Sequence, residues 1–183
     1  MRRNEKKAAT KAGGSRLVRT KGMGASEAND RACLKDAILA VLPADKREDA
    51  NLKMSAAVQA TPADRDACPL DVKDALGELG CALERASGDY RKKGAPPSLL
   101  VLQDRESKLV LHIRLVDAAN PDDAIQHFIA WDGEMIVDHP HSVRVNNGTD
   151  RTCPKKSQEA FGKLFKEFQS WQITAIFRLT AKK

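Results

Sequence analysis

His127-Phe128-Ile129-Ala130-Trp131-Asp132-Gly133-Glu134-Met135-Ile136-Val137-Asp138 reads as two apolar strands joined at Asp132-Gly133, the strongest short hairpin signal in the chain. With Asp132-Gly133 as a two-residue turn, Trp131 pairs with Glu134, and His127 is expected directly opposite Asp138. Directly opposed residues have Cβ atoms about 4.5–5.5 Å apart on one face, close enough for a carboxylate to reach an imidazole N–H. Ile129, Trp131 and Ile136 share that face and are expected to keep water from the pair. By themselves His127 and Asp138 amount to a cross-strand polar pair at a sheet edge. What a carboxylate adds to a histidine, however, is a fixed tautomer and orientation, the requirement of a general base.

Outward from the hairpin, the segment 108–116 alternates so that Leu109, Leu111, Ile113 and Leu115 line one face of a strand. Asn120-Pro121-Asp122-Asp123 separates it from the hairpin. Residues 154–168 read as a helix, and 171–179 as a last strand with Trp171, Ile173, Ala175, Phe177 and Leu179 inward. Asn146-Asn147-Gly148-Thr149-Asp150 is a turn-rich connection whose Asn146 and Asn147 are candidates for the rim of a cleft, with Trp131 a third cleft candidate. The segment 98–103 reads as a short apolar strand following the break at Gly94-Ala95-Pro96-Pro97.

Before that break the pattern is helical. Asn29 or Asp30 caps a helix in which Ala32-Cys33, Ala37-Ile38 and Val41-Leu42 recur, and Pro43 ends it. A second helix is expected over 46–60, before Pro62, and a third over 70–86, where Val72, Leu76, Leu79 and Leu83 form a stripe interrupted by Gly77 and Gly80. The expected fold class is therefore α+β, helices first and a mainly antiparallel sheet second, in one domain over 26–183.

The chain has 183 residues and a net charge of +6. Arg2, Arg3, Lys6, Lys7, Lys11, Arg16, Arg19 and Lys21, against Glu5 alone, exceed that net charge within the first 21 residues, so the remainder is about neutral. Residues 1–25 read as a flexible basic tail, and any nucleic-acid contact is expected through this tail only. No stretch has the length and apolarity of a membrane span, and the N-terminus lacks the apolar centre of a secretory signal. An intracellular, cytoplasmic protein with no membrane partner is expected. Cys33, Cys68, Cys81 and Cys153 contain no C-x-x-C pair, which points to reduced thiols rather than a zinc knuckle. His139 and His141 flank Pro140 on the face away from His127, so no metal site is assigned to them and no cofactor is expected.

Cys33 falls in the first turn of the first helix, where the positive end of the helix dipole and unpaired N–H groups favour thiolate. Beside Leu34 and Ala37 it also reads as a small buried hydrophobe, a role that suits Cys68 and Cys81 better. Cys153, just before Pro154, is the rival nucleophile.

The run 127–133 with its trailing Ile136-Val137-Asp138-His139-Pro140 resembles the histidine hairpin and following acid of papain-like cysteine peptidases, and is similar to that of the bacteriocin-processing peptidase domains of ABC exporters. Asp30-Arg31-Ala32-Cys33-Leu34-Lys35-Asp36-Ala37 resembles the Asp-Gly-Asn-Cys-Leu-x-x-Ala segment of ovarian-tumour-type deubiquitinases at Asp30, Cys33, Leu34 and Ala37. Arg31-Ala32 replaces the Gly-Asn pair, and the glycine that follows the exporter peptidases' cysteine is absent. The resemblance implies a papain-like fold and a thiol hydrolase of peptide or isopeptide bonds. In it Cys33 is the nucleophile, His127 the base, Asp138 the orienting acid and Asn29 the nearby amide candidate for the oxyanion hole. The implied partner is a protein or peptide substrate, with ubiquitin-like proteins among the candidates. The alternative is a catalytically inactive papain-like domain, or an unrelated α+β module, that binds protein or nucleic acid.

Overall fold

The computed structural model describes residues 32–62, 67–117, 124–139, 141–145 and 154–182. The basic tail, Asn29, Asn146, Asn147 and Cys153 lie outside these described residues.

Leu34, Ala37, Ile38 and Val41 recur at helical spacing, and all four are buried on one side of helix α1, Ala32–Val41. Pro43 stops it, a 3₁₀ turn at Ala44–Lys46 follows, and α2, Arg47–Gln59, returns alongside with Ala50, Met54 and Val58 inward. The third helix is shorter than its stripe predicts, because α3 covers Lys73–Glu78 only. Gly80 takes a left-handed φ of 65°, and Cys81–Arg85 leaves as strand β1. Pairing of β1 with the last strand outweighs the helical spacing of Leu79 and Leu83.

A second correction concerns residues 98–103, which form helix α4, Pro97–Gln103, instead of a strand. Short apolar runs fit either state, and Pro97 in the first turn pre-sets a helical φ. The remaining elements are β2 (Leu109–Val116), β3 (Ala124–Trp131), β4 (Met135–Asp138), β5 (His141–Arg144), α5 (Pro154–Leu164) and β6 (Ser170–Ala181). β5 was not anticipated, since Pro140 reads as a stop; it pairs back on β4 with His141 opposite Asp138.

The strands form one open sheet in the order β1-β6-β2-β3-β4-β5, and every pairing is antiparallel. Helices α1, α2 and α3 cover one face, where Leu34, Ile38, Met54 and Leu76 pack with Val110, Phe128 and Ala130. The other face carries Leu109, Leu111, Ile113, Ile129, Trp131 and Ile136 under Leu102 of α4 and Phe161 of α5. Burial of each such side chain contributes roughly 1.5–3 kcal/mol before entropy is counted.

β6 departs from simple alternation. Its pairing with β2 shifts between His112 and Ile113, which face Ala175 and Ile173 and leave Thr174 as the extra residue. Trp171 and Ile173 therefore join the core under α4 and α5, whereas Phe177 and Leu179 join the core under α1 to α3. The single inward face expected for this strand is in fact two.

Candidate active site

The β3–β4 hairpin carries two of the candidate residues, but its register differs from the expected one. Ala130 pairs with Val137 and Trp131 with Ile136, so Glu134 is not Trp131's partner. The turn lies one residue further along: Asp132 N–H donates to the Met135 carbonyl, and Gly133, with φ 98°, and Glu134 form the tip. The Asp132 carboxylate Oδ1 accepts from the N–H groups of Glu134 and Met135, at 2.8 and 2.7 Å, which holds this turn in preference to the one centred on Asp132-Gly133.

A displacement of two residues keeps every side chain on its expected face, where a displacement of one would invert them all. His127 and Asp138 consequently meet along a diagonal instead of directly. Diagonal partners are about 7–8 Å apart along the backbone, a span that imidazole and carboxylate together bridge. His127 Nε2 and Asp138 Oδ1 are 2.8 Å apart. The ladder between β3 and β4 ends at Ala130 and Val137, so the contact is between side chains beyond the paired region.

The hairpin is held against the segment before β2. Trp131 is fully buried, and its indole N–H donates to the Asp104 carbonyl at 2.5 Å. Lys108 Nζ donates to the Asp132 carbonyl. Gly133 abuts the Arg105 backbone so closely that an added Cβ would lie 2.3 Å from the Arg105 carbonyl oxygen. Trp131, expected as a cleft candidate, is thus a core residue, because its ring fills the space under α4 and α5. Asp104 is itself fixed by Tyr90, whose hydroxyl donates to Oδ2 at 2.5 Å. Burial, then that hydrogen bond, pushes the Tyr90 phenol up; Asp104 is held low by hydrogen bonds from Tyr90 and Ser107, against the opposing effect of burial. Arg178 Nη2 in turn donates to the Tyr90 hydroxyl at 3.4 Å, and nothing in the spacing of Tyr90, Asp104 and Arg178 along the chain announces this cluster.

Cys33 occupies the first turn of α1 and is half-buried. The helix packs on β3 and against β4, which brings the sulfur within hydrogen-bonding reach of the His127 ring. Burial disfavours a charged imidazole and is the largest single influence on it, yet the hydrogen bonds the ring makes to Asp138 and Cys33 and the charges of both outweigh it. They hold the imidazole at about 9 instead of the usual 6.5. At neutral pH the ring is therefore an imidazolium. Nε2–H donates to the carboxylate, which is acceptor only, and Nδ1 is the nitrogen left for the sulfur. Asp138 is 4% exposed, so water competes little for this pair.

The fold thus brings Cys33, His127 and Asp138 together. Cys81 is instead buried on β1, with Lys46 Nζ 3.8 Å from its sulfur, and Cys68 sits in the connection after α2, where its backbone N–H donates to Asp71. Among the described residues, no three His, Cys, Asp or Glu side chains gather in a metal-binding arrangement, and no helix is long and apolar enough to cross a membrane. Comparison of the chain with protein-family models, with curated proteins and with solved structures gave no match.

Proposed function

We propose that this protein is a thiol hydrolase of papain-like arrangement that cleaves a peptide or isopeptide bond with Cys33, His127 and Asp138. The observation that carries this reading is the imidazole of His127, held between the Asp138 carboxylate at 2.8 Å and the sulfur in the first turn of α1. A helix bearing the sulfur, packed on an antiparallel sheet bearing the base and its acid, also agrees with the papain-like resemblance of both segments.

In this reading the Cys33 thiolate attacks the carbonyl carbon, forming a C–S bond while the carbonyl π electrons move to oxygen. Backbone N–H groups of the first turn of α1 are the donors nearest that oxyanion. Collapse of the intermediate breaks the C–N bond, and the imidazolium gives its proton to the leaving amine. His127, now neutral, takes a proton from water as it attacks the thioester. The acid is released, and thiolate and imidazolium are restored. Asp138 keeps the ring oriented and stabilises its charge throughout.

The test is alkylation by iodoacetamide at pH 6, mapped to each cysteine by mass spectrometry. Cys33 is expected to react at least tenfold faster than Cys68 and Cys81, as a thiolate does relative to a thiol. His127→Ala is expected to suppress that reaction, and Cys33→Ala to abolish turnover of a peptide substrate cleaved by the native protein. Equal, slow labelling of the three cysteines, or full turnover by Cys33→Ala, overturns the proposal.

A further inference from the structure

Between α3 and β1 the chain reverses at Gly80, and the reversal gathers three polar atoms that the Cys33 site does not use. Gly80 has a left-handed φ of 65°, and the Leu79 carbonyl and the Cys81 side chain, on either side of it, turn toward one point, with Sγ 3.6 Å from the oxygen. Lys46, the last residue of the 3₁₀ turn before α2, reaches the same point. Its Nζ donates to the Leu79 carbonyl at 2.7 Å and lies 3.8 Å from Cys81 Sγ. The amine is also seated over Gly80, where an added Cβ would be 3.9 Å from it.

A structural cysteine is inert when apolar groups surround it on every side. Cys81 is 6% exposed and belongs to the core under α1 to α3, but its sulfur also faces a primary amine. The Lys46 side chain is only half-buried, so the edge of this pair borders solvent. An ammonium on a flexible four-carbon stem closes on a neighbouring atom by rotation of that stem, with the backbone in place.

We propose that Cys81 and Lys46 form an oxidative modification site, at which hydrogen peroxide produces a reversible S–N bond that ties the turn before α2 to the edge strand β1. First the sulfur attacks the peroxide: an S–O bond forms, the O–O bond breaks, sulfur is oxidised by two electrons to a sulfenic acid, and the peroxide is reduced to water. The lysine nitrogen then attacks that sulfur, forming the S–N bond as the S–O bond breaks, the condensation by which sulfenic acids give sulfenamides with backbone nitrogen. Of the two protons the ammonium sheds, one leaves with the hydroxide as water and one goes to solvent. Sulfur keeps its oxidation level in this second step, so peroxide is the sole oxidant. A dithiol returns the thiol and the amine and is itself oxidised to a disulfide. The pair lies apart from Cys33, and whether Cys33 is a hydrolase nucleophile has no bearing on it.

The experiment treats the full chain with hydrogen peroxide, blocks the remaining thiols with N-ethylmaleimide and maps the digest by mass spectrometry. The peptides bearing Lys46 and Cys81 are expected to be joined, at a mass about 2 Da below their sum, and to separate after dithiothreitol. K46R keeps a donor for the Leu79 carbonyl and is expected to fold, which its circular dichroism spectrum checks. In this variant the bond should be absent and Cys81 should stop at the sulfenic acid, which dimedone traps. The wild-type protein alone suffices to refute the site. A wild-type Cys81 that stays reduced, that carries dimedone or a sulfinic acid in place of the bond, or that is joined to a lysine other than Lys46 overturns the proposal.

Discussion

Raising the pH from 6.5 to 9 should remove the contribution of one side chain, His127, to the stability of this fold. His127 titrates at about 9 in the folded protein and near 6.5 when unfolded. The folded state thus binds the proton more tightly, and the stabilisation is fully present below 6.5 and is lost as the pH rises through 9. A difference of this size corresponds to about 3 kcal/mol, with about 2 kcal/mol still in place at pH 7.5. The side chain is 12% exposed, so solvent screening removes little of it. Urea unfolding at intervals across this range, together with NMR titration of the His127 ring, measures both halves of the linkage. Asp138→Asn removes the leading favourable influence on the imidazolium; its ring is expected to titrate lower and its stability to vary less with pH. A His127 ring that titrates near 6.5 in the folded wild type refutes the assignment of a buried imidazolium.

Asp138→Asn should retain the fold and lose less turnover than Cys33→Ala, because an amide oxygen still accepts from Nε2–H while the charge is gone; kinetics of the two variants on one peptide measure this. Gly133→Ala combines a left-handed φ of 98° with a Cβ 2.3 Å from the Arg105 carbonyl oxygen, and should cost about 1–3 kcal/mol in chemical denaturation. If that turn also sets the hairpin register, the Ala130–Val137 cross-strand contacts seen by NMR should be lost with it. Trp131→Phe leaves the Asp104 carbonyl without its indole donor, a loss of about 1–3 kcal/mol that thermal unfolding detects.

The alternation of Leu109, Leu111, Ile113 and Leu115 determines β2, and the spacing of Leu34, Ala37, Ile38 and Val41 determines α1, since burial period is a local property. The same holds for the placement of Cys33 in a first helical turn and for the shared face of His127 and Asp138, which survives a register displacement of two. The segments 81–85 and 98–103 were not legible in this way. Leu83 suits a strand or a helix, and the pairing of β1 with β6, between residues nearly 100 positions apart, decides it. Residues 98–103 are too short for a period to show, and the contact of α4 with α5 buries them as a helix.

For the site, chain spacing alone supplied the three residue types and their elements, but not how they meet. The turn that sets the hairpin register depends on Gly133 lying against Arg105 and on Trp131 reaching Asp104, contacts that exist only once β2 and its preceding segment are in place. The closeness of Cys33 to His127 likewise follows from α1 packing across β3, over 90 residues away in the chain. Periodicity reports which side of an element is buried. Which elements share that buried space, and hence which titratable groups lose water together and shift each other's protonation, is decided by tertiary packing, because electrostatic coupling depends on distance and burial in the folded state and neither is a property of the local sequence.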